Sequence, residues 1–222
     1  MHLWTSSRGV LRLGIGELTC NWGSDVALLY SDTQEMIDAV TAISIQGLMD
    51  GNNISYVLNE DVERYVRHAI QSVHTPEETS GEGDCIENRT IFIPRERLPE
   101  IFDMDNPYSY MDLVDNLYYG AQENGEKAYR SFVDVNHALR NGFLAHHPEK
   151  LDASQISVVL PPDVYSNIVL HFNTCIATKD WLQVLLYDTR CLSGVQLMTV
   201  LESHRFVLKG GQLIQNSLFG VK

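Results

Sequence analysis

A short apolar run followed at once by a helical pattern is the feature that most constrains this chain. The run from Val26 to Tyr30 has no polar alternation, which is typical of a strand buried on both faces of a parallel sheet. Apolar residues then recur at mainly helical spacing from Met36 to Met49. A second apolar run spans 54–58, and a second helical pattern spans 61–74. This order of strand, helix, strand and helix predicts an α/β fold with a mainly parallel sheet.

The same rhythm continues to the end of the chain. Further strands are predicted at Thr90–Pro94, Phe132–Val135, Trp181–Tyr187 and Phe206–Leu208. Further helices are predicted at Tyr110–Ala121, Asp163–Thr178 and Val195–Ser203. The Pro-, Glu-, Ser-, Thr- and Gly-rich stretch from Thr75 to Gly83 predicts a loop, and Gly210-Gly211 a tight turn before Leu213. No internal repeat interrupts this pattern, so residues 1–222 are expected to form a single domain.

Charge and hydropathy exclude several classes of partner. The formal net charge of −13 argues against nucleic acid, because binding to DNA depends on Lys and Arg side chains that neutralise phosphates. It argues equally against an anionic membrane surface. No segment approaches the roughly 20 apolar residues of a membrane span, and the first residues lack the pattern of a signal peptide. We therefore expect a cytoplasmic protein.

The cysteines and histidines do not form a metal pattern. The four cysteines, Cys20, Cys85, Cys175 and Cys191, are far apart in the sequence and include no C-x-x-C pair. They are expected to be buried thiols, and neither a metal nor a cofactor is predicted. A thiol redox sensor remains an alternative. The pair His146-His147 is predicted to lie in a loop, where adjacent side chains diverge.

The first strand is not followed by a phosphate-binding loop. Such loops are glycine-rich and carry a lysine, whereas Tyr30 is followed by Ser-Asp-Thr-Gln-Glu. The nearest match elsewhere, Gly120 to Lys127, has one residue too many before the lysine and no Ser or Thr after it. No nucleophile elbow of the G-x-S-x-G type is present either. We therefore predict no catalytic residues and no enzymatic activity.

Polar residues at strand ends are the candidate ligand-binding residues. Open α/β sheets bind ligands at the carboxyl ends of their strands. The candidates placed there are Tyr30, Asp134, His137, Tyr187, Asp188 and Arg190. Two alternatives stay open from the sequence: Asp134 as an acid that only caps the next turn, and Asp188 with Arg190 as an ion pair that only fixes the loop. His137 fits either a ligand contact or a half-polar packing side chain.

Five stretches of the chain resemble the MEDS domain (methanogen/methylotroph, DcmR sensory), a bacterial and archaeal sensory module. They are Trp22–Tyr30, Gly47–Gly51, Tyr129–Leu139, Leu182–Leu192 and Leu197–Asn216. Their order is that of the family, and the resemblance covers about 22–219. It implies a three-layer RecA/KaiC-like fold without a functional phosphate loop, and a domain that senses hydrocarbon derivatives such as small C1 or halogenated compounds.

The chain departs from the family pattern at four places. Asp25 stands at the family's histidine, Asp134 at its glutamate, His137 at its tryptophan, and His204-Arg205 at its His-Pro. These changes imply a different or more polar ligand. The resulting hypothesis is a non-catalytic sensory domain that acts in signal transduction through a regulatory protein partner or a homo-oligomer. The alternatives are a degenerate nucleotide-binding, ATPase-like protein and a ligand-free interaction module in partner-switching regulation.

Overall fold

The computed structural model describes residues 9–73, 86–102, 109–123, 128–143 and 176–216. The strands in chain order are β1 Val10–Arg12, β2 Thr19–Asn21, β3 Ser24–Tyr30, β4 Asn53–Val57, β5 Thr90–Phe92, β6 Tyr129–Asp134, β7 Trp181–Asp188, β8 Phe206–Lys209 and β9 Gln212–Gln215. The α-helices are α1 Thr33–Met49, α2 Glu60–Val73, α3 Ile86–Arg89, α4 Leu98–Ile101, α5 Ser109–Glu123, α6 Val135–Ala138 and α7 Gly194–Ser203. A π-helical turn spans Leu139–Phe143, and 3-10 turns span Arg95–Arg97 and Thr189–Cys191.

Seven strands form one sheet in the order β5-β4-β6-β7-β3-β8-β9. Every pairing in it is parallel except that of β8 with β9. Strands β1 and β2 form a separate antiparallel pair. The predicted α/β class with a mainly parallel central sheet is confirmed.

Helices cover both faces of this sheet, because alternate residues of each strand point to opposite sides. On β3, Leu28 and Tyr30 join a buried cluster that includes residues of α1 and α2. We call this side the α1 face. Ala27 and Leu29 join a second cluster that includes residues of α4, α5 and α7, and this side is the α5 face. The domain thus has the three layers that the family resemblance implied.

Local sequence signals fix the ends of the elements near the carboxyl edge of the sheet. Ser193 and Gln196 form a reciprocal capping box at the start of α7. Gly210 and Gly211 have φ values of 56° and 71°, so they form the two-residue turn that suits a right-twisted hairpin. This turn sets the register of β9 against β8.

A fully buried arginine ties the amino-terminal segment to the sheet. Arg130 on β6 is 0% exposed, and burial lowers the pKa of its guanidinium to about 10, so it stays charged at neutral pH. It donates to Asn52 Oδ1 (2.8 Å) and to Asp50 Oδ2 (2.9 Å). It also donates to the backbone carbonyls of Arg12 (3.1 Å) and Ile43 (3.0 Å). One side chain therefore links β1, α1 and the α1–β4 turn.

The sequence patterns located strands β3 to β8 and the longer helices α1, α2, α5 and α7. They missed β1, β2 and the four-residue helices α3, α4 and α6, since such short elements carry too little periodicity to be recognised. For β9 they predicted only the turn before Leu213. The predicted loop at Thr75–Gly83, the pair His146-His147 and most of the predicted helix Asp163–Thr178 lie outside the described residues. Within the described part of the chain, no helix has the length and apolar character needed to cross a membrane.

Candidate functional site

The candidate site lies where four neighbouring parallel strands end. Strands β4, β6, β7 and β3 are adjacent in the sheet, so their carboxyl ends share one edge. Tyr30 is in register with Asp188 across β3 and β7, and Asp134 is in register with Leu186 across β6 and β7. Because of the strand alternation, Tyr30, Asp134 and Asp188 all belong to the α1 face.

Each of these four strands is followed by a helix or turn with a capping side chain. The capping residue lies at the strand end or in the short segment after it. Asp32 Oδ1 accepts from Gln34 N (2.7 Å), at the start of α1. Asn59, Asp134 and Asp188 act in the same way on the backbone N–H groups of the segments that follow β4, β6 and β7. In other α/β proteins such N–H groups bind phosphate. Here three of the four caps are Asp side chains that already accept from these N–H groups, so fewer donors are left for an anion.

The turn after β3 is too short to hold a phosphate-binding loop. Only Ser31 and Asp32 separate Tyr30 from the first residue of α1. No glycine-rich loop fits in two residues, and the side chain of Asp32 occupies the position at the helix N-terminus. The sequence prediction that the phosphate loop is missing agrees with this geometry.

Asp134 is the most deeply buried acid of the edge, with 4% of the residue exposed. Its Oδ1 accepts from the backbone N–H of His137 (3.0 Å) and its Oδ2 from Asn59 Nδ2 (3.3 Å). Burial raises the pKa of the Asp134 carboxyl, and the hydrogen bond from His137 N–H only partly opposes this. Burial lowers the pKa of the His137 imidazole. The pair is therefore biased toward its uncharged forms.

The half-buried His137 ring is held by the π-helical turn. Asn141 Nδ2 lies 3.2 Å from His137 Nδ1 and also donates to the His137 carbonyl (2.9 Å). An amide nitrogen is only a donor, so Nδ1 accepts and the ring proton of the neutral form resides on Nε2. Besides Asp134, the pKa of His137 responds to the charges of Arg95, Glu60 and Glu63.

Tyr30 ends β3, the strand next to β7, and the charges of both acids act on its hydroxyl. It is 5% exposed, and burial raises the pKa of its hydroxyl, with further increases from the negative charges of Asp134 and Asp188. Its backbone carbonyl accepts from Thr189 Oγ1 (3.0 Å), which ties the end of β3 to the turn after β7. The phenol therefore remains a neutral hydrogen-bonding group at this edge.

Asp188 and Arg190 form a bidentate ion pair. Arg190 Nε lies 2.9 Å from Asp188 Oδ1, and Arg190 Nη2 lies 2.6 Å from Asp188 Oδ2. The hydrogen bonds from Arg190 lower the pKa of the Asp188 carboxyl. The Arg190 side chain is 59% exposed. The ion pair fixes the loop, which is one of the two alternatives that the sequence left open. The Arg190 guanidinium is also exposed to solvent.

Tyr187 is the one predicted site residue that the structure separates from the rest. It belongs to the α5 face, where its ring meets His204 edge-on and its hydroxyl lies 3.3 Å from His204 Nε2. The sequence placed Tyr187 with Asp188 because the two are adjacent. Adjacent residues of a strand point to opposite faces, so only one of the two can belong to the α1 face.

Asn59 is the residue that the sequence analysis missed. It caps α2 by accepting from Val62 N (3.1 Å) and donates to Asp134 from the same side chain. The available signal was an asparagine two residues after the end of β4, since Asn is a preferred capping residue. Its neighbour in space, Asp134, is 75 positions away in sequence, and no local pattern reveals that contact.

The described residues offer little redox or metal chemistry. No group of three or more His, Cys, Asp or Glu side chains that could hold a metal occurs among them. Burial raises the pKa of the Cys20 thiol to about 12 and also raises that of Cys191. Both thiols are thus protonated at neutral pH, which makes them poor nucleophiles. Cys85 and Cys175 lie outside the described part of the chain.

Known proteins resemble this chain in fold rather than in sequence. No family model matches it, and no curated protein matches it. An ATP synthase subunit from Nanoarchaeum equitans aligns with 91% of this chain and 50% of its own, at 8% identity and a TM-score of 0.58. A type III secretion system ATPase from pathogenic bacteria aligns with 91% and 57%, at 12% identity and a TM-score of 0.52. This chain thus spans about half the length of each.

A KaiC-like protein from Pyrococcus horikoshii is a third solved structure of this kind. It aligns with 91% of this chain and 80% of its own, at 15% identity and a TM-score of 0.48. The two matches with TM-scores above 0.5 show that the chain shares the fold of ATPase-related proteins, which agrees with the predicted α/β class. Sequence identities this low show only a shared fold, so the functions of these proteins cannot be assigned to this chain.

Proposed function

We propose that this protein is a non-catalytic sensory or regulatory domain with an ATPase-like fold that binds a small molecule at the carboxyl edge of its sheet. The observation that carries the proposal is the buried carboxyl of Asp134, held by Asn59 and His137 at a strand end. A buried titratable group with a displaced pKa, in the crevice where α/β sheets bind ligands, is a candidate functional site on physical grounds.

The same edge argues against phosphate chemistry. The α1 N-terminus carries Asp32 in place of a glycine-rich loop, and Asp188 neutralises the guanidinium of Arg190. A triphosphate would meet carboxylates where it needs donors. The domain is therefore proposed to have kept the crevice of its fold and lost the grip on nucleotide.

An uncharged, polar ligand fits the groups of the crevice best. Burial favours the neutral forms of both Asp134 and His137, and the Tyr30 phenol is neutral as well. Such groups offer hydrogen bonds without net charge. The MEDS resemblance implies a small C1 or halogenated compound, and the more polar residues at 134 and 137 favour an oxygenated member of that class.

A route from the crevice to a partner is provided by Asn59. Its side chain contacts Asp134 and caps α2, so a ligand that displaces the Asp134 hydrogen bond changes the start of that helix. Ligand binding shifts a protein only through different affinity for two states. We propose that α2 is the element that differs between them, and that a protein partner or a second copy reads the difference.

Native mass spectrometry of the freshly purified 222-residue chain tests whether a ligand is carried. A species heavier than the denatured chain by a small constant mass supports a loaded sensor. Thermal-shift titrations with methanol and with dichloromethane then test the ligand class on the stripped protein. If the masses agree and neither probe raises the melting temperature, the ligand proposal fails and the ligand-free interaction module replaces it.

Variants of the Asp188–Arg190 pair test the site itself. Asp188→Ala and Arg190→Ala are each expected to weaken binding of the active probe about tenfold or more by calorimetry, with far-UV circular dichroism unchanged. Arg64→Ala is the control, because it breaks a longer ion pair, with Asp61 on α2 (3.0 Å), that lies fully at the surface. Unchanged affinity in both site variants would remove this pair from the site.

A degenerate nucleotide-binding protein is the second candidate. The two ATPase-related structures with TM-scores of 0.58 and 0.52 favour it at the level of the fold. Calorimetric titration with ATP, with and without Mg²⁺, separates the two proposals. A sensor of the kind proposed gives no heat of binding with either titrant. Micromolar binding that is lost in Asp134→Asn would overturn the sensory reading.

A further inference from the structure

Strand β9 forms one edge of the sheet in the part of the chain that the structure describes. Strand β9 is last in the seven-stranded sheet, and no strand of the described residues pairs with its outer side. Proteins protect such edges with charges, proline or bulges, because an unpaired row of N–H and C=O groups binds other strands. The sequence of β9, Gln-Leu-Ile-Gln, contains no charge and no proline. It pairs with β8 in unbroken register from Gln212 to Gln215.

The hydrogen-bond pattern determines which backbone groups face outward. Asn216 N–H donates to Arg205 O (2.8 Å), which makes this position a bonded one. Bonded positions of an antiparallel pair recur at every second residue, so Ile214 also directs its backbone toward β8. The backbone groups of Leu213 and Gln215 therefore point away from the sheet.

This pattern is self-complementary. A second β9 strand placed antiparallel on this edge, with a two-fold axis at Ile214, puts Leu213 of each copy opposite Gln215 of the other. Each of those two pairs exchanges two N–H···O=C bonds, so four bonds form. A closed two-fold contact requires such reciprocity. The Ile214 side chain, 55% exposed, then meets its own copy at the axis.

Charge also favours this edge as the meeting place of two copies. The chain carries a net charge of −13, so most of its surface repels a second copy. The segment from Gly210 to Asn216 is uncharged, and Lys209 before it is positive. The opposite edge strand, β5, is only three residues long and follows Arg89.

We propose that two copies of this protein pair through β9 across a two-fold axis at Ile214, joining their sheets into one continuous sheet of fourteen strands. In the sheet, the proposed interface and β6 lie on opposite sides of β3. Pairing does not require the proposed ligand. A change at the carboxyl edge would reach it through β3 and β8, which are direct neighbours in the sheet.

Light scattering coupled to size exclusion, on the full chain over a hundredfold range of concentration, tests the pairing. The wild type is expected to reach twice the chain mass of 25.1 kDa. Ile214→Lys places two like charges at the axis and is expected to give a monomer. Gln215→Pro removes two of the four intermolecular bonds but none to β8, because its N–H points outward. It is expected to weaken pairing at least tenfold.

Ile91→Lys on β5 is the matched control, since Ile91 is also an exposed isoleucine of an edge strand (38%). A monomeric wild type at the highest concentration overturns the proposal and leaves the edge to a strand of a different protein. A dimer that survives both β9 variants, or that is lost equally in Ile91→Lys, overturns it as well.

Cross-linking gives a second readout that does not depend on affinity. Directly opposed residues at a non-bonded antiparallel position have Cα atoms about 4.5 Å apart, within the range of a disulfide. Ile214→Cys is therefore expected to form a disulfide-linked dimer on mild oxidation. Ile91→Cys and the wild type, with its natural cysteines, are expected to stay monomeric on a non-reducing gel. Equal cross-linking in all three contradicts the two-fold axis at Ile214.

Discussion

Two buried polar side chains on opposite faces of the sheet differ in how completely they are hydrogen-bonded. On the α1 face, the Arg130 guanidinium makes hydrogen bonds to two side chains and two backbone carbonyls. On the α5 face, Asp25 of β3 is 4% exposed, and its Oδ2 has no hydrogen-bond partner among the described residues. A buried charge is tolerated when its hydrogen-bonding groups are satisfied. The Arg130 guanidinium therefore stabilises the fold as a charged group, whereas ionisation of the Asp25 carboxyl is disfavoured.

The surroundings of Asp25 make the contrast sharper. Its register partner on β7 is Gln183, whose Oε1 is also without a partner among the described residues, while Gln183 Nε2 donates to Tyr110 (3.3 Å). Burial raises the pKa of the Asp25 carboxyl, and the nearby His204 and Arg205 only partly oppose this. Burial lowers the pKa of His204. The α5-face cluster is therefore biased toward neutral groups, whereas the α1-face arginine stays charged.

The largest expected effect comes from removing the tie. Arg130→Met leaves four acceptors without their donor and detaches β1 from α1. Breaking a buried ionic contact typically costs about 3–5 kcal/mol, and we expect a loss of this size in the free energy of unfolding by urea. Arg64→Met, at a surface pair, is the control and is expected to change stability by less than about 1 kcal/mol. Equal effects in the two variants would show that Arg130 is not a tie.

Gly47 of α1 gives a smaller change that depends on the same arginine. A Cβ added there would lie 2.8 Å from both Cδ and Nε of Arg130. Overpacking of this kind typically costs about 1–3 kcal/mol, so Gly47→Ala is expected to lower the urea midpoint. In an Arg130→Met background the clash disappears, and the two losses are expected to be less than additive. Full additivity would contradict a direct contact between the two positions.

The two regions also differ in how far the sequence could foresee them. The order of strands and helices followed from periodicity, and the capping role of Asp134 after β6 was one of the alternatives left open by the sequence. Arg130 lay outside the predicted strand Phe132–Val135, and no local pattern indicated its contacts, because its partners Asn52 and Asp50 lie 78 and 80 positions away. The surroundings of the unpaired Asp25 Oδ2 depend on strand order, which puts Gln183 in register with Asp25 from 158 positions further along the chain. No local pattern carries such information.

The candidate site could be predicted from the sequence in part. Tyr30, Asp134, Asp188 and Arg190 were placed at one sheet edge because parallel strands end together, and the structure brings those four to the same edge. Tyr187 was misplaced for a physical reason, since the residue next to Asp188 must face the other side. Whether these side chains bind a ligand remains a prediction, which the variants at Asp188 and Arg190 address.

The smallest expected effect is a gain in stability at Asp25. Asp25→Asn keeps the shape of the side chain and replaces the unpaired Oδ2 by an amide nitrogen, a donor on the residue in register with Gln183, whose Oε1 lacks a partner among the described residues. The net contribution of one hydrogen bond is about 1 kcal/mol, and we expect an increase of that order in the free energy of unfolding at pH 7. Gln183→Glu, which adds a second acid to the same place, is the opposing control and is expected to destabilise.

The pH dependence of that gain is the more decisive measurement. A carboxyl whose pKa is raised on folding contributes most below its unfolded pKa of about 3.9, and this contribution is lost as pH rises through the folded value. The wild type therefore loses stability relative to Asp25→Asn between acidic and neutral pH, and the difference between the two proteins shrinks as pH falls toward 4. His204 and Arg205 face the carboxyl in the wild type and remain in the variant, so the difference between the two curves isolates Asp25 and its coupling to them. A difference that stays constant with pH would mean that Asp25 is ionised in the native protein, and that the α5 face satisfies a buried charge as the α1 face does.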